Sequence, residues 1–147
     1  AQRHPSRQSY RLIELERQSK KNNLPLNLKP SFFPTNAAPS AYSVITAQSK
    51  GDGDVGEFVR RLLSACWLEE QDISCNSVIK SCLIAANFDP MLADSNLLEA
   101  AETYASNLEE AVKNNVFGSP FYIVDGSEFF WGQDRLNDLE AFLSGEL

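Results

Sequence analysis

The pattern of apolar and polar residues predicts helices through most of the chain. Apolar residues return every three or four positions, which is the repeat of one helical face. The predicted helices cover residues 10–23, 39–48, 54–70, 77–87 and 97–114, and a final helix opens at Gly132. Between the first two, the prolines of segment 24–30 forbid a helix, and its alternating apolar residues favour an extended segment or an edge strand.

Two of the predicted helix starts carry capping residues. Asp54 precedes an apolar helical face and Glu57 follows it by three positions, which resembles a capping box. Asp89 is followed by Pro90, which places an acceptor side chain ahead of a proline at the first helical position. The stretch 50–53, which contains two glycines, breaks the preceding helix.

The pattern changes from helical to extended at Gly118. Residues 121–124 are aromatic and β-branched, which is typical of a strand. Asp125-Gly126 is a hairpin turn signal, and residues 128–131 form the predicted return strand. A two-stranded hairpin is only marginally stable by itself, so we expect either further strands from an absent β-α-β unit or helices that cover the hairpin.

Composition narrows the classes of function. The net charge of −7 argues against nucleic acid or an anionic membrane surface as the main partner. No apolar run approaches the roughly 18 residues of a membrane span, and no signal-peptide pattern opens the chain, so a cytoplasmic protein is expected. The three cysteines form no CxxC pair and His4 is the one histidine, so neither a disulfide framework nor a metal site is expected.

The first candidate binding segment is Ser119-Pro120, directly before the first strand. A cis bond between these residues would leave the backbone N–H and C=O of Ser119 facing outward, where an extended peptide could pair with them. A trans proline would simply begin an edge strand. Because only about 5% of X–Pro bonds are cis, the residues alone favour the trans alternative.

The second candidate is the start of the final helix, at Gln133-Asp134. A helix N-terminus presents free N–H groups and the positive end of the helix dipole, which attract a carboxylate. Asp134 could accept a hydrogen bond from an ammonium group, so the two features together suit the zwitterionic end of an amino acid. The simpler alternative is an ordinary capped helix in which Asp134 serves only the helix dipole.

The run VFGSPFYIVDGSEFFWGQDRLNDLE at 116–140 resembles the C-terminal signature of 2-hydroxychromene-2-carboxylate isomerases and their kappa-class glutathione transferase relatives. Residues 5–10, 24–26 and 33–36 are also similar, in order along the chain. The resemblance implies an α/β fold, thioredoxin-like of the DsbA and kappa type, with an inserted all-helical domain. The implied segments are 1–36 for the N-terminal helix and extended segment, 37–115 for the helical domain, and 116–147 for the C-terminal hairpin and helix.

The same resemblance assigns glutathione-binding roles to four residues near the C-terminus. Ser119, which precedes the cis-proline of such proteins at Pro120, would hold the cysteinyl backbone of glutathione. Gln133 and Asp134 match the position that binds the γ-glutamyl end.

The resemblance also assigns roles to Arg7 and Asn36, and one functional serine of the family has no counterpart in this sequence. Arg7 stands where relatives carry a lysine that meets a glutathione carboxylate, and Asn36 matches an asparagine near the substrate. The family's serine, which hydrogen-bonds the glutathione sulfur, has no match among the serines here. It would belong to strands that precede Ala1, so no catalytic residue is assigned in this chain.

The function implied by the resemblance is a glutathione-dependent cis–trans isomerase of aromatic degradation. It would interconvert 2-hydroxychromene-2-carboxylate and an o-hydroxybenzylidenepyruvate-type compound. Glutathione would serve as a thiolate cofactor that adds reversibly to the unsaturated pyruvate-type substrate and is not consumed. The alternatives are a kappa-class transferase, a DsbA-like dithiol oxidoreductase and a non-catalytic binding protein. Since such relatives are commonly dimers, a homodimer is expected.

Several aromatic residues could line a substrate pocket, but core packing is the simpler interpretation. They are Phe32, Phe33, Phe129, Phe130 and Trp131. Cys66, on the apolar helical face beside Trp67, is interpreted as a small core residue.

Overall fold

The computed structural model describes residues 4–50 and 52–147. These residues form six α-helices, one two-stranded sheet and two short 3₁₀ helices, at Pro90–Ala93 and Gln133–Arg135. The α-helices are α1 (Pro5–Asn22), α2 (Ala38–Lys50), α3 (Val55–Trp67), α4 (Asn76–Ala85), α5 (Leu97–Lys113) and α6 (Leu136–Ser144). Strands β1 (Phe121–Val124) and β2 (Glu128–Trp131) lie between α5 and α6.

The chain divides into two compact units, one that ends at Glu102 and one that spans Thr103–Leu147. The three-segment division drawn from the sequence at 36 and 115 stays a prediction. Gly51, part of the predicted break after the second helix, lies outside the described residues. Among the residues that the structure does describe, no helix is long and apolar enough to cross a membrane.

Helix α1 begins at Pro5, earlier than the predicted start near Tyr10. Proline is well tolerated at a first helical position because its missing N–H would have no helical partner there. His4 precedes it, and its Nδ1 atom accepts a hydrogen bond from the Ser6 N–H at 3.3 Å. Because this helix start is set by a proline and a polar cap, the spacing of apolar residues does not locate it. The predicted end is confirmed, with Asn23 in the left-handed region at φ 51°.

The segment 24–30 is neither helix nor strand, so of the two predicted alternatives the edge strand is wrong. Polar bonds fix this segment to the end of α3. The N–H of Asn27 donates to the carbonyl oxygen of Trp67 at 2.7 Å, and the Asn27 side-chain amide donates to Glu70 Oε1 at 2.7 Å. The backbone N–H of Asn27 is therefore paired without a neighbouring strand.

The start of α3 is capped by one half of the predicted capping box. Asp54 Oδ1 accepts from the Glu57 N–H at 3.0 Å. The reciprocal bond is absent because the Asp54 N–H donates to the carbonyl oxygen of Ala86 at 3.0 Å. The Glu57 carboxylate instead accepts from Arg60 Nε at 2.6 Å and Arg61 Nε at 2.7 Å.

The main core lies between α2, α3, α4 and the 3₁₀ helix that follows α4. Phe58 and Leu83 are fully buried, and the rings of Phe58 and Phe88 meet edge to face at 6.1 Å. The core cluster consists of Ala47, Phe58, Leu62, Ala65, Ile79, Cys82, Leu83, Ala86, Phe88 and Ala93. Burial of each large side chain here stabilises the fold by about 1.5–3 kcal/mol. The predicted burial of Cys66 is confirmed, at 3% exposure.

The predicted hairpin is confirmed, with Phe121 opposite Trp131 and Val124 opposite Glu128. Its turn residues, Asp125 and Gly126, have φ values of 50° and 73°. Two consecutive positive φ angles suit a tight hairpin turn, which explains why Asp-Gly is the signal there.

Core packing was the predicted role of five aromatic residues, and it is wrong for most of them. Phe32, Phe33, Phe129 and Trp131 are 42–53% exposed, and only Phe130 is half-buried, where its ring meets Phe142 at 5.8 Å. In the unit Thr103–Leu147 the sheet has only two strands and α6 meets it at Phe130, so Phe129 and Trp131 stay largely exposed.

Candidate functional site

The Ser119–Pro120 peptide bond is cis, so the trans alternative favoured by the residues alone is wrong. Ser119 is exposed at the start of β1. Within residues 103–147, neither its backbone nor its hydroxyl makes a hydrogen bond. The N–H and C=O of Ser119 are therefore open to an extended peptide from outside this unit.

A hydrogen bond joins the two candidate segments of the C-terminal unit. The N–H of Gly132 donates to the carbonyl oxygen of Pro120 at 3.0 Å. This bond extends the pairing of the hairpin beyond Phe121 and Trp131, the last ladder pair at that end. Ser119-Pro120 and Gln133-Asp134 therefore lie at the same end of the hairpin.

Gly132 shapes the start of the final helical run. Its φ of 113° lies in the region that favours glycine, and a side chain there would collide with Oδ1 of Asp134. The N–H groups of Gln133 and Asp134, the first two of that run, donate no hydrogen bond within residues 103–147. They form the free donor end of a helix, which attracts an anionic group.

Asp134 does not act as an ordinary helix cap. Neither the 3₁₀ helix Gln133–Arg135 nor α6 has a side-chain capping bond. Asp134 Oδ2 accepts from Arg135 Nη2 at 3.2 Å, and the Asp134 side chain is 65% exposed. Arg135 also donates to Asp138 at 2.9 Å, and hydrogen bonds to Asp138 and then Asp134 raise the pKa of the guanidinium above its ordinary value. The carboxylate of Asp134 thus remains accessible to a further donor.

The other two predicted site residues, Arg7 and Asn36, lie in the unit that ends at Glu102. Arg7 is exposed in the first turn of α1. Asn36 is also exposed, and its Oδ1 atom accepts from the Ala38 N–H at 3.1 Å at the start of α2. One side of the Asn36 amide is therefore used locally, and its Nδ2 group makes no hydrogen bond with the described residues of this unit.

Sequence reasoning missed the structural contribution of Gly118. The Trp131 indole packs so closely against Gly118 that a side chain at position 118 would collide with Nε1 of the ring. The Phe117 ring meets the same indole edge to face at 5.0 Å. The position of Gly118 directly before Ser119-Pro120 was the available signal of a close contact. It did not identify Trp131 as the residue in contact.

The cysteines differ in their surroundings, and all three are free. Burial raises the pKa of the Cys66 and Cys82 thiols. Cys75 is exposed, and hydrogen bonds from the Ser77 side chain and the Ser77 and Val78 backbones lower the pKa of its thiol. The spacing of these residues in sequence provides no CxxC pair.

The chain belongs to the DSBA-like thioredoxin domain family, whose family model matches residues 1–144. A curated relative, the 2-hydroxychromene-2-carboxylate isomerase of Sphingobium xenophagum, is 25% identical over 134 residues, which cover 90% of this chain and 66% of that protein. The solved structure of a selenomethionine-labelled 2-hydroxychromene-2-carboxylate isomerase matches with a TM-score of 0.69 at 24% identity. That match covers 93% of this chain and 66% of the other.

These comparisons confirm the thioredoxin-like, DsbA-type fold inferred from the sequence. They also confirm the resemblance to the isomerase family on which that inference was based. The chain spans just under two-thirds of the length of the relatives it matches.

Proposed function

We propose that this chain carries the glutathione-binding part of a glutathione-dependent cis–trans isomerase. The observation that supports it most is the Gly132–Pro120 hydrogen bond, which places the unpaired backbone of Ser119 and the open carboxylate of Asp134 at one end of the hairpin. The substrate class is 2-hydroxychromene-2-carboxylate or a similar unsaturated pyruvate-type compound. Both relatives described above are named as isomerases of 2-hydroxychromene-2-carboxylate.

The polar groups at this end of the hairpin suit a zwitterionic tripeptide. The N–H and C=O of Ser119 would pair with the cysteinyl backbone of glutathione as an added strand. Asp134 would accept from the γ-glutamyl ammonium group, and the free N–H groups of Gln133 and Asp134 would bind the adjoining carboxylate. The arrangement therefore offers a separate partner for each charged group at that end of glutathione.

Arg7 and Asn36 complete the proposal. The guanidinium of Arg7 would pair with a glutathione carboxylate, and the free amide side of Asn36 would contact the substrate. When bound, glutathione would supply a thiolate nucleophile. The described residues would bind and orient it, and no catalytic residue is proposed among them.

The alternatives make different demands on thiols. A kappa-class transferase would consume glutathione, whereas the proposed isomerase would release it unchanged. A dithiol oxidoreductase would use a reactive cysteine pair; of the three cysteines here, Cys66 and Cys82 are buried and Cys75 is exposed.

The test uses the protein produced from its natural gene, incubated with 2-hydroxychromene-2-carboxylate. Isomerisation is followed by ultraviolet absorbance and free thiol by titration with a disulfide reagent. We expect conversion only when glutathione is present, with the thiol concentration constant throughout. A fall in thiol that matches product formation would indicate a transferase, and conversion at equal rate without glutathione would exclude the proposed cofactor.

A further inference from the structure

An apolar cleft of about 530 Å³ lies between α1, the segment 24–26 and the C-terminal end of α3, all within the unit that ends at Glu102. Its walls include Leu15, Leu24, Leu26, Leu63, Trp67 and Leu68. Leu24 and Leu63 are 63% and 54% exposed, so the cleft is open at its surface. A volume in the range of about 300–1,000 Å³, with apolar walls and few polar groups, is typical of small-molecule sites.

A guanidinium group is held at this cleft by two aromatic rings. The guanidinium carbon of Arg11 lies 5.6 Å from the centre of the Phe33 ring and 6.0 Å from that of Trp67. The two rings are themselves 4.5 Å apart. Cation–π contacts of this kind favour one position of the guanidinium and do not occupy its N–H donors. Arg11 is therefore positioned before any ligand arrives.

Arg11 differs from the other guanidinium that lines the cleft. Arg60 is already paired, because its Nε and Nη2 atoms donate to both carboxylate oxygens of Glu57. Arg11 has no carboxylate partner among the described residues of its unit. The guanidinium of Arg11 is thus a cation at the cleft that no carboxylate of the described residues in this unit neutralises.

The remaining polar side chains around the cleft carry no charge, and those of Ser19, Asn22 and Ser64 are used locally. Ser19 Oγ donates to the carbonyl oxygen of Leu24 at 2.6 Å, and Asn22 Nδ2 donates to the carbonyl oxygen of Gln18 at 2.9 Å. A ligand in the cleft would therefore meet apolar walls and a single available charged donor. The matching ligand has one anionic group and an apolar body.

We infer that this cleft binds a small aryl-substituted carboxylic acid, with the carboxylate paired to Arg11 and the apolar body against Leu63 and Trp67. A planar carboxylate matches the fork of a guanidinium, and an aryl group matches the aromatic and leucine walls. The inference is independent of the proposed glutathione site, since none of its residues is assigned to glutathione.

The test is calorimetric titration of the full chain with 4-phenylbutyrate and with 4-phenylbutanamide, which has the same shape but no charge. We expect the carboxylate to bind at least about tenfold more tightly than the amide, because a charge-assisted hydrogen bond is lost with the amide. Equal affinity of the two compounds, or no binding of either at millimolar concentration, would overturn the inference.

Variants separate the cleft from general surface charge. Arg11→Gln is expected to weaken 4-phenylbutyrate binding about tenfold, whereas Arg17→Gln, an exposed arginine on the same helix, leaves the affinity unchanged. Leu63→Glu, at an exposed wall position, should abolish binding while circular dichroism stays at the wild-type value. Equal affinities of the Arg11 and Arg17 variants would contradict the assignment. A dimer found by sedimentation would also contradict it, provided that Leu63→Glu dissociates the dimer and that the dimer does not bind 4-phenylbutyrate. A second copy of the chain would then occupy the cleft.

Discussion

The indole nitrogen of Trp131 lies against the α-carbon of Gly118, with no room for a side chain between them. This contact connects the end of β2 with the residue that precedes Ser119. Phe117 packs on the same indole at 5.0 Å, so both residues before Ser119 are held by one aromatic ring. The position of the unpaired Ser119 backbone therefore depends on a residue that is distant in sequence.

Gly118→Ala tests this dependence. The added methyl group must displace the indole, so we expect weaker glutathione binding, by several-fold in calorimetry, and a changed near-ultraviolet circular dichroism signal from tryptophan. Gly56→Ala in the first turn of α3 is the matched control and should leave glutathione affinity unchanged. Unaltered affinity in Gly118→Ala would show that the indole contact does not position Ser119.

The core makes a separate prediction about stability. Leu83→Ala removes a fully buried side chain and should lower the free energy of unfolding by about 2–5 kcal/mol. Leu98→Ala, at a position that is 75% exposed, should change it by less than about 0.5 kcal/mol. Urea denaturation measures both. A similar cost for the two variants would contradict the placement of the core between α2, α3 and α4.

Glu57 predicts a dependence of stability on pH. Hydrogen bonds from Arg60 and Arg61 lower the pKa of the Glu57 carboxyl from 4.5 to about 2. A carboxyl whose folded pKa is depressed contributes stability that is complete above its unfolded pKa and is lost as the pH falls toward the folded value. The melting temperature of wild type should exceed that of Glu57→Gln by a constant, small margin from pH 7 to pH 5, since the arginine partners are solvent-exposed.

Below a pH of about 4.5 that margin should shrink, as the Glu57 carboxyl of the unfolded chain becomes protonated. Thermal melts at pH 7, 5 and 3 provide the comparison. A margin that grows on acidification would show that the ionised carboxylate does not stabilise the fold.

The cysteines should differ in reactivity toward alkylating reagents. The Cys75 thiol lies 3.1 Å from the Ser77 hydroxyl, and bonds from Ser77 lower its pKa, which favours the reactive thiolate. Iodoacetamide at neutral pH should modify Cys75 well before Cys66 and Cys82, as measured by peptide mass spectrometry. Ser77→Ala should slow this reaction, and Ser81→Ala should not. Equal rates at all three thiols would contradict the burial of Cys66 and Cys82.

The sequence predicted the hairpin well because two signals agree there. Aromatic and β-branched residues define both strands, and the Asp125-Gly126 pair supplies the two positive φ angles of the turn. The start of α1 was not predictable from apolar spacing, because Pro5 and His4 set it through backbone geometry and capping. Local sequence therefore determines an element best when its pattern and its turn chemistry coincide.

The candidate site was predictable in part. Ser119-Pro120 and Gln133-Asp134 were candidates from the residues alone, and the resemblance added their glutathione roles. The structure places the two pairs at one end of the hairpin. The contact of Gly118 with Trp131 and the cluster of Arg11 with Phe33 and Trp67 depend on tertiary packing. Residues that come into contact only through folding have no regular spacing in the sequence, so a single sequence does not show that they will meet.

The most direct test of the account is a calorimetric titration of glutathione into wild type, Asp134→Asn and Glu140→Gln. The Asp134 variant removes the proposed partner of the γ-glutamyl ammonium group but keeps the shape of the side chain. The Glu140 variant removes an equal charge from an exposed position on α6. We predict binding to wild type and Glu140→Gln with the same affinity, and to Asp134→Asn at least about fivefold more weakly, because a charge-assisted hydrogen bond is lost. Equal affinity of all three proteins, or no binding to wild type, would contradict the proposed glutathione site.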